Sequence, residues 1–182
     1  MLRVCSSFEF VASKFGCPKD IVEVGVRGGH NSVGILTTFT DVESVTLVDR
    51  YKSYDDELSG FIPDDVHLAN LRHMIGSILP FGSKVTFLPT GSIRASQKLA
   101  DNSFDFIYLD DDHDYQPVLD GMRNWYPKVK KGGFLADHDY DRKSVQLALS
   151  DFIKETKVDY IQIPRDYSEE HIRIPDWLLR KV

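Results

Sequence analysis

The sequence predicts an α/β protein built on a doubly wound, Rossmann-like and mostly parallel sheet of seven strands, with an antiparallel pair of strands at its C-terminal edge. Three observations carry this. Short β-branched runs alternate with longer stretches of helical periodicity, the pattern of parallel strands joined by crossover helices. The first of these runs ends in glycines. The last two, YIQIP and DWLLRKV, have no helical segment between them.

The elements follow in order. IVEVGV, Ile21 to Val26, is almost continuously apolar and reads as a buried first strand running into Gly28 and Gly29. Asn31 or Ser32 caps the next helix, whose Val33, Ile35, Leu36 and Phe39 face inward. SVTLVD, Ser44 to Asp49, is the second strand. The acidic, Gly- and Pro-punctuated stretch 51–65 reads as a long loop suited to a lid. From Val66 to Leu79, the residues Leu68, Leu71, Ile75 and Leu79 recur at helical spacing, and Pro80 and Gly82 stop the helix. KVTFLPTG is the third strand, a short helix covers 93–100, and FDFIYLD, Phe104 to Asp110, is the fourth strand. Val118, Leu119, Met122, Trp125, Tyr126 and Val129 mark one face of a further helix, which Pro127 kinks and Gly132-Gly133 ends after Lys130-Lys131. GFLADHDY is the fifth strand, and Val145, Leu149, Phe152 and Ile153 face inward from a helix over 142–155. A length of 182 residues fits one domain, 1–182, with a short segment 1–20 ahead of the first strand.

Composition narrows the function. Lys and Arg number 22 against 28 Asp and Glu, a net charge of −6, so no broad basic face for nucleic acid is expected. Cys5 and Cys17 fit neither a zinc site nor a disulfide framework, which points to two core thiols and a reducing, cytoplasmic compartment. No stretch approaches the roughly 20 apolar residues of a membrane span. The opening MLRVCSSFEFVASKF lacks the continuous apolar core of a signal peptide.

Polar residues collect where a doubly wound sheet binds its ligands, outside the carboxyl ends of the strands. Gly25, Arg27, Gly28 and Gly29 follow the first strand, Asp49 ends the second and Gly91-Ser92 the third; Asp110 to Asp114 end the fourth and Asp137 to Asp139 the fifth. A glycine turn lets backbone approach a ligand, and Asp49 is placed to take both hydroxyls of a ribose. The loop EVGVRGG departs from the G-x-G-x-x-G of dinucleotide proteins. Glu23 suits the cationic sulfonium and ammonium of S-adenosylmethionine better than a pyrophosphate, which leaves an NAD(P)-dependent oxidoreductase as the lesser alternative. Asp110, His138 and Asp139, at the ends of neighbouring strands, form a mixed oxygen and nitrogen set of the kind that holds Mg²⁺ or Mn²⁺; the alternative is a solvated turn with a helix cap. His113, with an ordinary pKa near 6.5, competes with Asp112 as a proton acceptor. His67, His73 and His171 read as solvated, whereas His30 lies beside the glycine loop.

IVEVGVRGG, VTLVD and FIYLDDDHDYQPVLDGMRNWYPKVKKGGFLADHDY resemble successive motifs of class I S-adenosylmethionine-dependent methyltransferases. The long last stretch is most similar to the small-molecule and sugar O-methyltransferase branch. The resemblance covers nearly the whole chain. It implies methyl transfer from S-adenosylmethionine to a hydroxyl of a small molecule, assisted by a divalent cation. By it, Glu23, Gly25 and Gly29 hold the methionine end of the cofactor, Asp49 the ribose, and Gly91 and Ser92 lie near the adenine. Asp110 borders the cofactor and, with His138 and Asp139, matches the cation ligands; Asp112 matches the base. Asp111 and Asp137 stand where that pattern has Gly, as extra carboxylates that either tune the cation site or face solvent. A catalytically silent binding module of the same fold is the other alternative, because no cap domain is present to select an acceptor. The expected partner is a small hydroxyl-bearing acceptor, with neither nucleic acid nor membrane; a second copy of the chain is left open.

Overall fold

The computed structural model describes residues 4–56, 60–163 and 176–182. Nine strands and six helices occur among them: α1 Ser6–Phe15, β1 Asp20–Val24, α2 His30–Thr38, β2 Ser44–Val48, β3 Tyr54–Asp56, β4 Gly60–Ile62, α3 Asp64–Ile78, β5 Val85–Leu88, α4 Ser92–Ser96, β6 Phe104–Leu109, α5 Tyr115–Trp125, β7 Val129–Asp137, α6 Lys143–Thr156, β8 Asp159–Gln162 and β9 Trp177–Arg180. Seven strands form one sheet in the order β5-β2-β1-β6-β7-β9-β8, and β3 pairs separately with β4. The pairs from β5 to β7 are all parallel, and β9 runs antiparallel to both β7 and β8. The predicted fold class is therefore the observed one. No helix among the described residues is long and apolar enough to cross a membrane.

Strand alternation divides the apolar residues between two cores. Val22, Val24, Ile107, Leu109 and Leu135 face α4, α5 and α6, where Met122, Trp125, Leu149 and Phe152 are buried. Ile21, Val45, Leu47, Phe106 and Tyr108 face α1, α2 and α3, where Phe8, Val11, Ile35 and Met74 are buried. Sheet and helices together bring the carboxyl ends of β1, β2, β5, β6 and β7 to one rim.

Four expectations are corrected. Residues 6–15, expected only as a lead-in segment, form α1, with Phe8 and Val11 in the core. The stretch expected as an unbroken loop over 51–65 contains the β3–β4 ribbon, with Tyr54 opposite Ile62. Its lid role falls partly outside the described residues, and His171 lies wholly outside them. The helix after β6 ends at Trp125 and a single 3₁₀ turn over Tyr126–Lys128 leads straight into β7, so Val129 to Gly133 are strand. Proline at 127 removes a donor that a continuing helix would need, and Lys130 instead pairs with Asp20 and Asp105 of the neighbouring strands at 2.7 and 3.0 Å.

The face of α3 is also rotated from expectation. His67 and Met74 are buried, while Leu68, Ile75 and Leu79 are 44, 43 and 71% exposed. Tertiary contacts set this phase: Met74 Cγ lies against Gly29, and His73 Nδ1 is 3.0 Å from the Gly28 carbonyl oxygen. His67 is thus buried rather than solvated, whereas His73 is exposed, as expected, with its ring hydrogen-bonded to the glycine loop.

Lys181 fastens β9 in place. Its ammonium donates to the carbonyls of Pro127 and Val129 at 3.1 and 2.8 Å and to Asn102 Oδ1 at 2.9 Å, and burial pulls its pKa below the ordinary lysine value. Lys181→Met leaves these acceptors without their donor. The expected cost is about 1–3 kcal/mol, read as a lower midpoint in chemical denaturation.

Candidate active site

The floor of the site is where β1 and β6 leave the sheet. Gly25 has φ +85°, and a Cβ there would meet the Asp110 carbonyl oxygen at 1.8 Å, so no other residue fits. The strands close on each other through Asp110 N–H donating to the Val24 carbonyl at 2.7 Å, and Gly25 N–H donates across to Val48 at 2.9 Å. Gly29, at φ +76°, is the residue before α2, which starts at His30 rather than behind a cap at Asn31 or Ser32. Ser32 hydrogen-bonds Glu23 instead.

Glu23 lies on the α2 side of β1 and is 2% exposed. Burial, and then the charge of Asp110, push its pKa up to about 8. Asp110 is raised to about 7, chiefly by burial, with Asp137 and Asp139 adding to the rise and His138 opposing it. The end of the β1–β6 pair thus gathers two carboxyl groups, of which Asp110 has His138 Nδ1 at 3.2 Å and Glu23 has only Ser32 and Asn31 as polar partners among the described residues.

Asp49, one residue past β2, accepts the backbone N–H of Arg27 on Oδ2 and that of Tyr51 on Oδ1, both at 2.8 Å. A carboxylate has about four acceptor positions, so two are left for a ligand. Tyr51 O–H donates to the Arg27 carbonyl at 2.7 Å and its ring packs edge-on against Phe87. Gly91 precedes α4 with open space beside it, and Ser92 Oγ accepts the Trp125 indole N–H at 2.9 Å. Arg27, Tyr51 and Asp139 all have positive φ, 49°, 45° and 59°. Backbone strain of this kind is common at ligand clamps, and three of the five such non-glycine residues described lie at strand ends around this rim, Asn102 and Lys157 being the others.

Asp110, His138 and Asp139 are brought together as expected, but not around a common point. Asp110 Oδ1 lies 3.2 Å from His138 Nδ1, and Asp139 Oδ1 lies 3.6 Å from His138 Nε2. The two carboxylates therefore occupy opposite edges of one imidazole. Asp139 also pairs with Arg142 Nε at 3.0 Å and His113 Nδ1 at 3.2 Å. No group of three or more His, Cys, Asp or Glu among the described residues is arranged to hold a metal ion. As they stand, these carboxylates face imidazole and guanidinium partners and are not arranged around the expected Mg²⁺ or Mn²⁺. Burial opposes a charge on His138, yet its bond to Asp137 and the neighbouring Asp110 and Asp139 raise its pKa to about 9.

Asp137 does not face solvent; its side chain is 4% exposed and accepts the His138 backbone N–H at 2.6 Å. Asp111 is exposed. Asp112 is exposed and its Oδ1 accepts the Asp114 N–H at 3.0 Å, a local turn bond. His113 is half-buried, and burial, partly opposed by Asp139, pulls its pKa below the ordinary histidine value. His30 stacks on His73 beside the glycine loop, with ring centroids 5.1 Å apart. Arg142, Ser32 and Tyr51 contact the candidate site residues Asp139 and Glu23 and the Arg27 carbonyl, contacts that sequence reasoning did not anticipate. For Arg142 the signal was its i,i+3 spacing from Asp139, which puts both on one turn before α6.

This sheet order, with the glycine turn after β1 and an acid after β2, is the architecture of class I S-adenosylmethionine-dependent methyltransferases. Residues 22–140 match the profile of a methyltransferase domain family, and the chain belongs to that family. Solved structures agree in fold. The O-methyltransferase NovP superposes with a TM-score of 0.66 at 18% identity, over 97% of this chain and 77% of that one. The S-adenosylhomocysteine-bound methyltransferase PaMTH1 of Podospora anserina gives 0.67 at 10% identity over 97 and 77%. An rRNA methylase from Streptococcus thermophilus gives 0.65 at 13% identity over 97 and 94%. Among curated proteins, the uncharacterized protein R132 of Acanthamoeba polyphaga mimivirus is 41% identical over 39 residues, which span 21% of this chain and 18% of that protein.

These raised carboxyl groups predict a measurable pH dependence. Glu23, Asp110 and Asp137, with folded values of about 8, 7 and 6, hold protons that the unfolded chain releases at lower pH. His138, raised to about 9, acts in the same sense, because its contribution is lost as pH climbs through the folded value. His113, lowered, acts in the opposite sense. Since the native state binds more protons, stability of the ligand-free protein falls as pH rises from about 5 to 8. Glu23→Gln keeps the shape and removes the largest of these carboxyl contributions. Its thermal midpoint at pH 8 should exceed that of the wild type, with a flatter pH profile in scanning calorimetry.

Proposed function

We propose that the protein transfers a methyl group from S-adenosylmethionine to a hydroxyl of a small molecule. The observation that carries the cofactor half is the pairing of Glu23 and Asp110 at the strand ends beside the glycine turn. Burial and then neighbouring carboxylates raise both pKa values, and a ligand bearing a sulfonium and an ammonium would supply the compensating charge. In this reading Glu23, Gly25, Gly29 and Asp110 border the methionine end, the two spare acceptor positions of Asp49 take the ribose hydroxyls, and Gly91 and Ser92 border the adenine.

The hydroxyl half rests on His113. With Nδ1–H directed at Asp139 Oδ2 and the imidazole neutral near pH 7, Nε2 is the basic nitrogen. Arg142 holds Asp139, so base, orienting carboxylate and anchor form one chain of contacts. Bound cofactor supplies a methyl carbon already joined to its leaving group. The acceptor oxygen forms the new C–O bond as the C–S bond breaks toward sulfur, and His113 Nε2 takes the hydroxyl proton. Asp112 is the second candidate for that proton, disfavoured by its exposure and its engagement in a local turn. No step is routed through a cation, since Asp110, His138 and Asp139 do not converge on one.

Titration calorimetry with S-adenosylhomocysteine tests the cofactor half. Asp49→Asn, which keeps an acceptor for the loop amides, should weaken binding at least about tenfold, or about 1.4 kcal/mol. Unchanged affinity removes Asp49 from the site. For the acceptor half, a panel of small hydroxyl compounds with radiolabelled S-adenosylmethionine gives the reaction. His113→Ala should then lower kcat by about 10² to 10⁴-fold with cofactor affinity intact, and Asp112→Asn far less. Chelator should leave the rate unchanged; loss of activity restored by Mn²⁺ would assign a cation to the step.

A further inference from the structure

β1 and β2 are neighbours in register, Val24 beside Val48, and the residues that follow them are tied into one closed ring of hydrogen bonds. Asp49 Oδ2 accepts the Arg27 N–H, the Arg27 carbonyl accepts the Tyr51 hydroxyl at 2.7 Å, and the Tyr51 N–H returns to Asp49 Oδ1. Gly29 N–H also donates to the Val26 carbonyl at 2.8 Å, which makes Arg27 the second residue of a tight turn at φ +49°, a place that ordinarily goes to Gly or Asn. An arginine is therefore held in the left-handed region by bonds on both its N–H and its carbonyl, and both bonds come from the end of β2. The Tyr51 ring is seated edge-on against Phe87 of β5, centroids 5.8 Å apart, so its hydroxyl reaches from that side of β2 to the loop after β1. Burial, and then the charge of Asp49, push the hydroxyl's pKa upward, which keeps it a donor.

We propose that Tyr51 is a positioning residue for the cofactor: its hydroxyl fixes the Arg27 peptide and, through it, the Asp49 carboxylate that takes the ribose hydroxyls. The inference rests on the cofactor reading of Asp49 given above. Without the hydroxyl, the turn loses the bond that holds the Arg27 carbonyl, and an arginine released from that bond leaves positive φ for the regions its side chain favours. Its N–H then turns away from Asp49 Oδ2. The carboxylate keeps one of its two orienting donors, and its free acceptor positions are no longer fixed for a pair of hydroxyls. In the intact ring all three bonds exist without ligand, so the carboxylate is ordered by folding and binding does not have to order it.

Titration calorimetry on the full protein tests this with S-adenosylhomocysteine, its 2′-deoxy analogue, and 5′-methylthioadenosine, which keeps the ribose and lacks the amino-acid end. Tyr51→Phe keeps the ring on Phe87, so the thermal midpoint should stay within about 5 °C of the wild type. It should weaken S-adenosylhomocysteine and 5′-methylthioadenosine alike, by about three- to tenfold, the effect of one hydrogen bond. The 2′-deoxy analogue should lose at least about twofold less, because one of the hydroxyls that the misplaced carboxylate would hold is already missing. A general loosening of the fold would weaken all three equally. Arg27→Gly removes the penalty for positive φ, so the pair Tyr51→Phe with Arg27→Gly should bind S-adenosylhomocysteine more tightly than Tyr51→Phe alone. Unchanged affinity in Tyr51→Phe, an equal loss for all three probes, a Tyr51→Phe chain that does not fold, or a pair no tighter than Tyr51→Phe overturns the inference and leaves the cofactor reading standing. A wild type that binds none of the three probes fails the cofactor reading, and the inference with it.

Discussion

Where β1 ends, the backbone of Gly25 lies directly on the carbonyl of Asp110, with no room for a side chain between them. This close approach sets the spacing of the two central strands at their carboxyl ends, and the rim is arranged around it. Glu23 is held two residues before the contact, Asp110 at it, and the chain leaves β1 in a left-handed turn that aims Gly28 and Gly29 at the start of α2. A larger residue at 25 would separate β1 from β6 and, with them, the carboxyl groups of Glu23 and Asp110.

The rim concentrates charge that the rest of the molecule balances locally. At the amino ends of the strands, acids and bases pair off, as Lys130 does with Asp20 and Asp105 and Lys128 with Asp101. At the carboxyl ends, Asp137 and Asp139 are buried and bound to imidazoles, a guanidinium and backbone amides, while Glu23 has only hydroxyl and amide partners. The folded state therefore carries its electrostatic strain at one end, in keeping with the general exchange of stability for function at binding sites.

Much of this was legible from sequence, for reasons that differ between elements. The central strands are apolar on both faces, and β1, β2, β6 and β7 announce themselves as short runs bounded by Gly and Asp. The acids that end them lie on one rim because parallel strands share a direction. Helix phase was less legible. In α3 the more apolar stripe, Leu68 with Ile75, lies about 100° from His67 with Met74, and the seat of Met74 against Gly29 buries the less apolar of the two. Residues 6–15 have the periodicity of a helix in Phe8, Val11 and Phe15, but two serines and a Gly-Cys-Pro exit obscured it. The cation set Asp110, His138 and Asp139 was correctly gathered in space, yet spacing along strands cannot tell a side chain that faces a shared centre from one that faces its neighbour's ring.

The order β7-β9-β8 has a consequence for how the chain assembles. Among the described residues, strand β8 has no neighbour in the sheet other than β9, which follows it in sequence, so it does not join the sheet when it is made. Until β9 slots between them, β7 presents a bare edge that carries Phe134, Leu135 and Ala136, the sort of open ladder that recruits other chains. The slowest and most exposed stage of folding is expected to be this late insertion, whose contacts are separated by a long stretch of chain. A newly made molecule would be most vulnerable to misassembly at that seam, on the side of the sheet away from α3.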